Sequence, residues 1–290
     1  MLKEYATILL EEIDSVLILK LNRPEKLNAF NMQMLDDMLD AIDYANTNDN
    51  IKSLVITGSG RAFCAGADLS FGEKTFHKSF DTNEKYDSEF MRDAGGILNL
   101  KIYNSLKPVI AACNGDAVGI GATMQLPADI RIASKNSRFG FVFAKRGIVP
   151  DGCASWFLPK IIGIPMALEL CYSGKIINST EAQRIGLVNY LVDDDDLIIK
   201  AIEISNMLCD STAPISVAMT RHMLWSLSAE DNPENAHIIE SKLINSRGAS
   251  DDAKEGVMSF LEKRSANFKN KISSDLPNDF PWRESQFKDK

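Results

Sequence analysis

Short apolar runs separated by turn residues dominate the first two thirds of the chain. Residues 5–12 and 15–21 are two such runs around Asp14-Ser15, and they predict two strands joined by a tight turn. Between Met34 and Ala45, apolar side chains recur at helical spacing with acidic residues on the other face, which predicts an amphipathic helix. Further strands are predicted at 53–57, 109–113, 129–133 and 188–192, and a further helix at about 88–106.

The pattern becomes helical throughout from Leu197 onward. Residues 72–88 are polar and aperiodic, which predicts a mobile loop, and residues 270–290 are polar with isolated aromatics, which predicts a tail that drapes over a surface or is partly disordered. The C-terminal helices are predicted at about 195–209, 213–228, 234–246 and 250–262. We therefore expect a mixed α/β core at 1–196, a helical C-terminal region at 197–268 and a polar tail at 269–290.

Composition and charge narrow the classes of function. The 290 residues are 45% hydrophobic and 25% charged, as in ordinary soluble proteins, and the net charge of −8 argues against a broad nucleic-acid-binding face. No apolar stretch reaches the roughly 18 residues that a membrane span needs, and the N-terminus is typical of a strand rather than a signal peptide. Five scattered cysteines without a CxxC pair indicate reduced thiols and a cytoplasmic location. The three histidines are widely spaced in the sequence and give no reason to expect a metal site.

Two segments rich in Gly and Ala, residues 61–68 and 114–124, each follow a predicted strand. Such residues let a ligand approach the backbone closely. The second segment leads into a predicted helix, whose first turn has main-chain N–H groups without acceptors. Two segments of this kind can direct two N–H groups at one carbonyl oxygen, which is what stabilisation of an oxyanion or enolate requires.

These two segments, in this order and at this spacing, resemble those of the crotonase superfamily, the enoyl-CoA hydratase/isomerase family. The resemblance extends over about residues 5–268 and is carried by further motifs in the same order. They are the early loop 22–29 (NRPEKLNA), residues 126–133 (LPADIRIA), Phe139-Gly140, residues 147–150 (GIVP), Ser173-Gly174 with residues 182–188, Glu255-Gly256 and residues 260–264 (FLEKR).

The resemblance implies an α/β fold in which ββα repeats wind into a crotonase-like spiral, with a helical C-terminal region that mediates a homotrimer or a dimer of trimers. It implies acyl-CoA thioester substrates, with coenzyme A as part of the substrate and no further cofactor. By position, the main-chain N–H groups of Ala67 and Ile120 would form the oxyanion hole. The other implied substrate- and CoA-binding residues are Lys26 and Leu27 at the adenine end, Ala65, Gly66, Asp68, Gly119, Gly121, Phe143 and, reaching a neighbouring subunit's ligand, Phe260 and Lys263.

The number of carboxylates at the implied site determines the expected reaction. Family hydratases use two Glu residues, whereas this chain has Thr123 and Phe143 at those positions, and neither is an acid or base near neutral pH. Asp151 resembles the single acid/base of family isomerases. Because one carboxylate is enough to move a double bond, we expect Δ3-Δ2-enoyl-CoA isomerisation with Asp151 as the proton shuttle. Two alternatives stay open, namely hydration of a 2-enoyl-CoA through Asp151 and a water, and acyl-CoA binding without catalysis.

Asp151 also has a purely structural interpretation, because an Asp directly before a helical segment is a common N-cap. If Asp151 is catalytic, apolar neighbours would raise its pKa by desolvation, whereas pairing with Lys145 or Arg146 would lower it.

Four other acids are weaker candidates. Asp68 is expected to cap the turn that follows it, and Asp116 is either an extra carboxylate near the thioester or a solvent-facing turn residue. Glu84 and Glu89 lie on the predicted mobile loop, from which they would have to swing into the site.

Overall fold

The structure is a computed structural model that describes residues 2–76, 92–278 and 280–281. The strands are β1 (Ile8–Ile13), β2 (Val16–Leu21), β3 (Ser53–Gly58), β4 (Ala62–Cys64), β5 (Val109–Cys113), β6 (Asp116–Val118), β7 (Ile130–Ser134), β8 (Arg138–Gly140), β9 (Ile176–Asn178) and β10 (Tyr190–Val192). The helices are α1 (Met32–Thr47), α2 (Ala94–Tyr103), α3 (Ile120–Thr123), α4 (Ala154–Ile162), α5 (Ile164–Ser173), α6 (Ser179–Arg184), α7 (Leu197–Cys209), α8 (Pro214–Leu227), α9 (Pro233–Gly248), α10 (Asp251–Glu262) and α11 (Ile272–Asp275).

Two sheets run through the spiral. The larger has the strand order β1-β2-β3-β5-β7-β10, in which β1 and β2 form an antiparallel hairpin and the later neighbours are parallel. The hairpin turns at Asp14, whose positive φ of 53° suits a tight turn, as the sequence predicts. The smaller sheet has the order β4-β6-β8-β9, with β8 and β9 antiparallel.

Three consecutive units repeat one order of elements: a strand in the large sheet, a short strand in the small sheet, and then a helix. The units are β3-β4-α2, β5-β6-α3 and β7-β8-α4. This is the spiral of ββα repeats that the resemblance implies, and the predicted fold class is confirmed.

Both faces of the large sheet are covered. One face belongs to the main core, to which α1 contributes the predicted apolar stripe from Met34 to Ala45. On the other face Leu197, Ala201 and Ile204 of α7 pack against buried side chains of the strands. The helix that follows residue 196 therefore packs on the spiral core, although the division of the chain at that residue stays a prediction.

The C-terminal helices are fixed to the spiral by Arg221 on α8. Its guanidinium group is buried, forms an ion pair of 2.8 Å with Asp129 before β7, and donates to the carbonyl oxygens of Ile102 and Tyr103 at the end of α2. Because an arginine satisfies several carbonyl groups and a carboxylate at once, this contact orders the end of α2 as well as α8.

Some predicted boundaries are wrong. The helix predicted from residue 88 begins at Ala94, because the Asp93 carboxylate accepts a hydrogen bond of 2.6 Å from the Gly96 N–H and caps it there. Of the predicted loop 72–88, residues 72–74 end a 3-10 helix (Leu69–Lys74), and residues 77–88 lie outside the described residues, as do Glu84 and Glu89. Part of the predicted tail forms α11, where Ser273 donates to Asp49.

Candidate active site

The two Gly- and Ala-rich segments lie together because each contains a short strand that the sequence pattern does not reveal. Strands β4 and β6 are parallel neighbours, so residues 65–68 and 119–123 leave the small sheet at the same edge. The approach is close. A Cβ at Gly119 would lie 3.8 Å from the Cα of Gly66, and a Cβ at Gly121 would lie only 2.0 Å from the carbonyl oxygen of Cys64. Residue 121 must therefore be glycine for the two segments to pack in this way.

The Ala67 N–H is one candidate oxyanion donor. Ala67 forms a parallel bridge with Phe30, in which the Phe30 N–H donates to Gly66 O (2.8 Å) and the Asp68 N–H donates to Phe30 O (2.8 Å). In such a bridge the residue between the two bonded positions directs its own N–H away from the partner. Within the described chain the Ala67 N–H donates to no acceptor, so it is available to a ligand.

The Ile120 N–H is the second candidate donor. Gly119 precedes it with a φ of 57° and ψ of −124°, a conformation that suits glycine, and it supplies no side-chain cap to α3. Helical hydrogen bonds use the carbonyl oxygen of Ile120, whereas its N–H has no acceptor among residues 2–76, 92–278 and 280–281. Both implied donors thus lie on adjoining segments, and neither has an acceptor within the part of the chain that the structure describes.

Asp151 lies before α4, with its carboxyl group directed toward α3 rather than along α4. Its Oδ1 accepts a hydrogen bond of 2.7 Å from the Thr123 hydroxyl. Burial, and to a smaller extent the nearby Asp93, raises the pKa of Asp151 to about 6, while the bond from Thr123 acts in the opposite direction. The carboxyl group is therefore an acid/base whose charge changes near neutral pH.

The structural interpretation of Asp151 as an N-cap is wrong. The cap position of α4 is Cys153, and the contribution of Asp151 there is its main-chain oxygen, which accepts from the Ala154 N–H (3.0 Å). Lys145 and Arg146 form no ion pair with Asp151 in the described part of the structure, and the stem of Lys145 lies against Gly174. Neither residue therefore offsets the effect of burial, which raises the pKa of Asp151.

Gly95 connects Asp151 with the segment of Ile120. A Cβ at Gly95 would lie 3.4 Å from Cγ of Asp151 and 2.6 Å from Cδ1 of Ile120. The second residue of α2 therefore touches both the candidate acid/base and the side chain beside the second candidate donor. Nothing in the sequence pattern points to Gly95, because its role comes from contacts with Ile120 and Asp151, which are 25 and 56 positions away.

Asp93 is a second carboxylate at this place, also missed by the sequence analysis. Its Oδ1 accepts from the Gly96 N–H (2.6 Å) and the Gly152 N–H (3.2 Å), so it joins the start of α2 to the residue after Asp151. Buried Asn99 on α2 reinforces this contact, since its Nδ2 donates to Thr123 O (2.8 Å) and Gly152 O (2.6 Å). The sequence does carry one sign of this role, because Asp93 stands three residues before Gly96, which is the spacing of a helix N-cap and the N–H group that it accepts from.

The early loop lies against the first Gly- and Ala-rich segment. The Ala65 N–H donates to Leu27 O (3.0 Å), and Asp68 forms ion pairs with Arg23 (2.7 Å) and Lys26 (3.6 Å). Asp68 also accepts from the Ser70 N–H at the start of the 3-10 helix, as predicted. Hydrogen bonds from the Ser70 hydroxyl and from Arg23 hold the pKa of Asp68 well below the usual range. Asp68 is therefore a structural anion here.

The remaining candidates are one residue of the main core and three residues at or near the surface. Phe143 is buried in the main core, whereas Phe260 on α10 is 82% exposed and Lys263 follows the end of that helix with a positive φ. Asp116 is not a turn residue. It begins β6 and forms a bidentate pair with Arg138 (2.7 and 2.8 Å) on β8.

Comparisons with known proteins identify the family. The model of the family described as enoyl-CoA hydratase/isomerase matches residues 11–271. Enoyl-CoA hydratase AKT3-2 of Alternaria alternata is 38% identical over 258 residues, which cover 89% of this chain and 84% of that protein.

The chain belongs to the enoyl-CoA hydratase/isomerase family. The names of its relatives in this family include both types of activity: the 1,2-epoxyphenylacetyl-CoA isomerase of Escherichia coli K12 is 33% identical over 88% of this chain and 95% of that protein. The crystal structure of an enoyl-CoA hydratase from Bacillus anthracis superposes with a TM-score of 0.80 at 29% identity, covering 91% of this chain and 99% of that one. The crotonase assignment made from the motifs is confirmed. Within the described residues no helix has the length and apolar character required to cross a membrane.

Proposed function

We propose that this protein is a Δ3-Δ2-enoyl-CoA isomerase with Asp151 as its acid/base. The observation that carries the proposal is a half-buried carboxyl group with a pKa of about 6, held one glycine away from the segment of Ile120, whose main-chain N–H has no acceptor among the described residues. The thioester carbonyl of an acyl-CoA is a suitable acceptor for the N–H groups of Ala67 and Ile120.

The proposed reaction needs only one proton shuttle. The Asp151 carboxylate removes a proton from C2 of a 3-enoyl thioester, and the electron pair left at C2 delocalises over the thioester carbonyl and the double bond. The resulting dienolate carries its negative charge on the thioester oxygen, which accepts hydrogen bonds from the Ala67 and Ile120 N–H groups. Asp151 then returns the proton to C4, the double bond forms between C2 and C3, and the carboxylate is regenerated.

The environment of Asp151 suits this exchange in both directions. A carboxyl group with its ordinary pKa of 3.8 is a weak base, whereas one with a pKa of about 6 is a stronger base and still mainly ionised at pH 7. The same group, once protonated, remains acidic enough to deliver the proton to the dienolate.

Hydration of a 2-enoyl-CoA is the second candidate function, and Asp93 is the observation that favours it. Hydration needs one group to activate water and another to deliver a proton, and Asp93 and Asp151 both lie beside Gly95. The names of the Alternaria and Bacillus relatives point the same way. We rank it second because Oδ1 of Asp93 already accepts two main-chain N–H groups, as a cap does. Acyl-CoA binding without turnover is the third outcome.

The proposal includes a homotrimer or a dimer of trimers, in which Phe260 and Lys263 contact the ligand bound to a neighbouring subunit. Exposed apolar side chains on α9 and α10 support an assembly through this region, since large exposed apolar patches mark interaction sites. They are Ile238, Ile244, Val257, Phe260 and Leu261. Light scattering coupled to size exclusion measures the subunit number directly.

Product analysis tests the proposed function. The purified protein is incubated separately with a 3-enoyl-CoA and with a 2-enoyl-CoA of equal chain length, and the products are identified by NMR. Isomerisation predicts a C2–C3 double bond from the first substrate and no 3-hydroxyacyl-CoA from the second. Formation of 3-hydroxyacyl-CoA from the second substrate would establish hydration instead, and binding without turnover of either would establish a binding protein.

Two variants separate the role of Asp151 from a general effect of losing a carboxylate. Asp151→Asn removes the proposed base and is expected to lose turnover, while Asp116→Asn removes an exposed carboxylate of β6 and is expected to retain it. Loss of turnover in both variants would contradict the assignment of Asp151.

A further inference from the structure

The two oxygens of the Asp151 carboxyl group have different surroundings. Oδ1 lies 2.7 Å from the hydroxyl oxygen of Thr123. The main-chain N–H of Asp151 itself bonds to the carboxyl group, and no other residue of the described chain donates a hydrogen bond to Oδ2. Among the described residues, a neighbouring side chain therefore engages Oδ1, whereas none engages Oδ2.

Thr123 is held so that its hydroxyl remains at this place. The residue is fully buried on α3, and its Oγ1 would lie 2.9 Å from a Cβ at Gly152, the residue after Asp151. Its main-chain oxygen accepts from Asn99. Neither the backbone nor the side chain of Thr123 can move far without displacing the Asp151 segment.

The Thr123 hydroxyl has one proton and two acceptors within reach. Besides Oδ1 of Asp151, the carbonyl oxygen of Ile120 lies 3.3 Å from Oγ1. Ile120 is also the residue whose N–H is the second candidate oxyanion donor. The hydroxyl thus connects the candidate base to the segment that would hold the thioester oxygen.

We propose that Thr123 is a positioning residue, whose hydroxyl holds Oδ1 of Asp151 and thereby makes Oδ2 the oxygen that carries the substrate proton. This inference rests on the proposed function of Asp151 and assigns a role to the threonine that stands where family hydratases have a glutamate. A short bond to one oxygen fixes the plane of the carboxyl group, so that Oδ2 keeps one orientation toward the substrate.

The protonation state of Asp151 determines which of the two acceptors the Thr123 hydroxyl prefers. While the carboxylate is charged, the Thr123 hydroxyl donates to Oδ1, and a hydrogen bond to a charged acceptor is the stronger one. When Oδ2 has taken the proton, Oδ1 is a neutral carbonyl oxygen and a weaker acceptor, and the Ile120 carbonyl oxygen becomes a competing partner. Thr123 therefore stabilises the charged form more than the neutral form, and it lowers the pKa of Asp151 against the effect of burial.

Other groups around Asp151 also affect its protonation equilibrium, and the variants used in the test leave these groups unchanged. Asp93, at the start of α2, is the nearest charged group and raises the pKa of Asp151. Cys64 of β4 and Cys153 before α4 also face it, and burial raises the pKa of both thiols, so they are neutral near pH 7. Arg92 lies near Cys153 and lowers the pKa of that thiol.

The test compares Thr123→Val with Thr123→Ser. Valine keeps the shape and removes the hydroxyl, whereas serine keeps the hydroxyl. The carboxyl group of Asp151 is titrated by NMR in protein labelled with 13C at the aspartate carboxyl carbon, without substrate, and the resonance is assigned by its loss in Asp151→Asn. We expect Thr123→Val to raise the pKa of Asp151 by about one to two pH units, and Thr123→Ser to leave it within roughly half a unit.

Activity provides a second readout. In Thr123→Val the acidic limb of the pH profile of kcat/KM is expected to move to higher pH by the same amount, with a lower kcat, and serine is expected to restore both. An unchanged or lower pKa in Thr123→Val overturns the proposal. If valine prevents folding, Thr123→Ser and Thr123→Ala form the replacement pair, since both lose the methyl group and differ in the hydroxyl.

The titration also separates the two proposals. If the wild type turns over neither substrate, the proposed function fails, while the NMR titration still shows whether Thr123 holds Asp151. If the wild type is an isomerase and the titration does not respond to Thr123→Val, the isomerase proposal stands and the role of Thr123 is refuted.

Discussion

The carboxyl groups of Asp93 and Asp151 lie beside the same glycine. A Cβ at Gly95 would be 3.2 Å from Oδ1 of Asp93 and 3.4 Å from Cγ of Asp151. The negative charge of Asp93 disfavours a second negative charge on the nearby Asp151 carboxyl group. Asp93 therefore adds to the effect of burial in raising the pKa of Asp151. The exposed carboxylate of Asp93, which caps α2, therefore contributes to the basicity of the half-buried Asp151 carboxylate.

Replacing Asp93 with Asn tests this contribution. Asparagine is also a good N-cap, so the bonds to Gly96 and Gly152 persist while the charge is removed. For the wild type, kcat/KM is expected to rise with pH through about 6, as Asp151 loses its proton. In Asp93→Asn that midpoint is expected to fall by roughly half a pH unit to one pH unit, because Asp93 is exposed and its charge is screened.

The same variant distinguishes the two catalytic candidates. If Asp93 is instead the second acid/base of a hydratase, Asp93→Asn would lower turnover about 10²-fold or more at every pH. An unmoved midpoint with unchanged turnover would show that Asp93 is a cap without influence on Asp151.

Gly95→Ala tests the contact between α2 and the site. The added methyl group would approach Cδ1 of Ile120 to 2.6 Å, so the side chain beside the second candidate donor must shift, and it would press on Oδ1 of Asp93 at 3.2 Å, whereas its distance of 3.4 Å from Cγ of Asp151 is ordinary contact. We expect kcat/KM to fall about 10- to 100-fold, as misplacement of catalytic groups by about 1 Å does. Gly248→Ala is the matched control, because that helical glycine has nothing within 4 Å of an added Cβ. Equal activities in the two variants would contradict the prediction.

Asp151 is expected to make the protein less stable at neutral pH. Its folded-state pKa of about 6 lies above the ordinary value of 3.8, so the folded state favours the protonated form, and this contribution is lost as pH rises through about 6. The loss amounts to at most about 3 kcal/mol. Relative to the wild type, Asp151→Asn should therefore gain free energy of unfolding between pH 4 and pH 8, as measured by urea denaturation. A difference that stays constant with pH would refute the raised pKa.

Arg221→Met is expected to loosen the C-terminal helices. It removes the ion pair with Asp129, whose carboxylate keeps the neutral donors Val109 N–H and Trp225 Nε1, and it removes the charged donor to the carbonyl groups at the end of α2. Breaking such a pair typically costs about 3–5 kcal/mol in the free energy of unfolding. Arg138→Met, which breaks the exposed pair with Asp116, is the control and should cost no more than about 1 kcal/mol. Equal losses would contradict the anchoring role.

The sequence pattern is enough to predict the large sheet, and the family resemblance adds Asp151 as a candidate acid/base that stays a prediction. The strands of that sheet are apolar runs, and β5 matches the prediction at both ends. The small sheet escapes detection because β4, β6 and β8 have three residues each, too few for periodicity to be visible. These strands nevertheless bring Gly66 and Gly119 together.

Site residues defined by long-range contacts could not be found in this way. Thr123 is identified from its position only as a missing glutamate, whereas its bond to Asp151 requires α3 and the start of α4 to be adjacent. Asp93 falls inside the helix that the pattern predicts from residue 88, so its capping role is hidden. Hydrophobic periodicity predicts which face of a helix or strand is buried, but it does not predict which residues distant in sequence come into contact.

The rate of proton transfer at C2 tests the central claim most directly. Wild type and Asp151→Asn are incubated with a 3-enoyl-CoA in D2O, and NMR follows both the appearance of the C2–C3 double bond and the loss of the C2 protons. If Asp151 is the proton shuttle, the wild type converts the substrate, and both double-bond formation and loss of the C2 protons are about 10²- to 10⁴-fold slower in Asp151→Asn. Conversion at the wild-type rate by folded Asp151→Asn would contradict this role of Asp151.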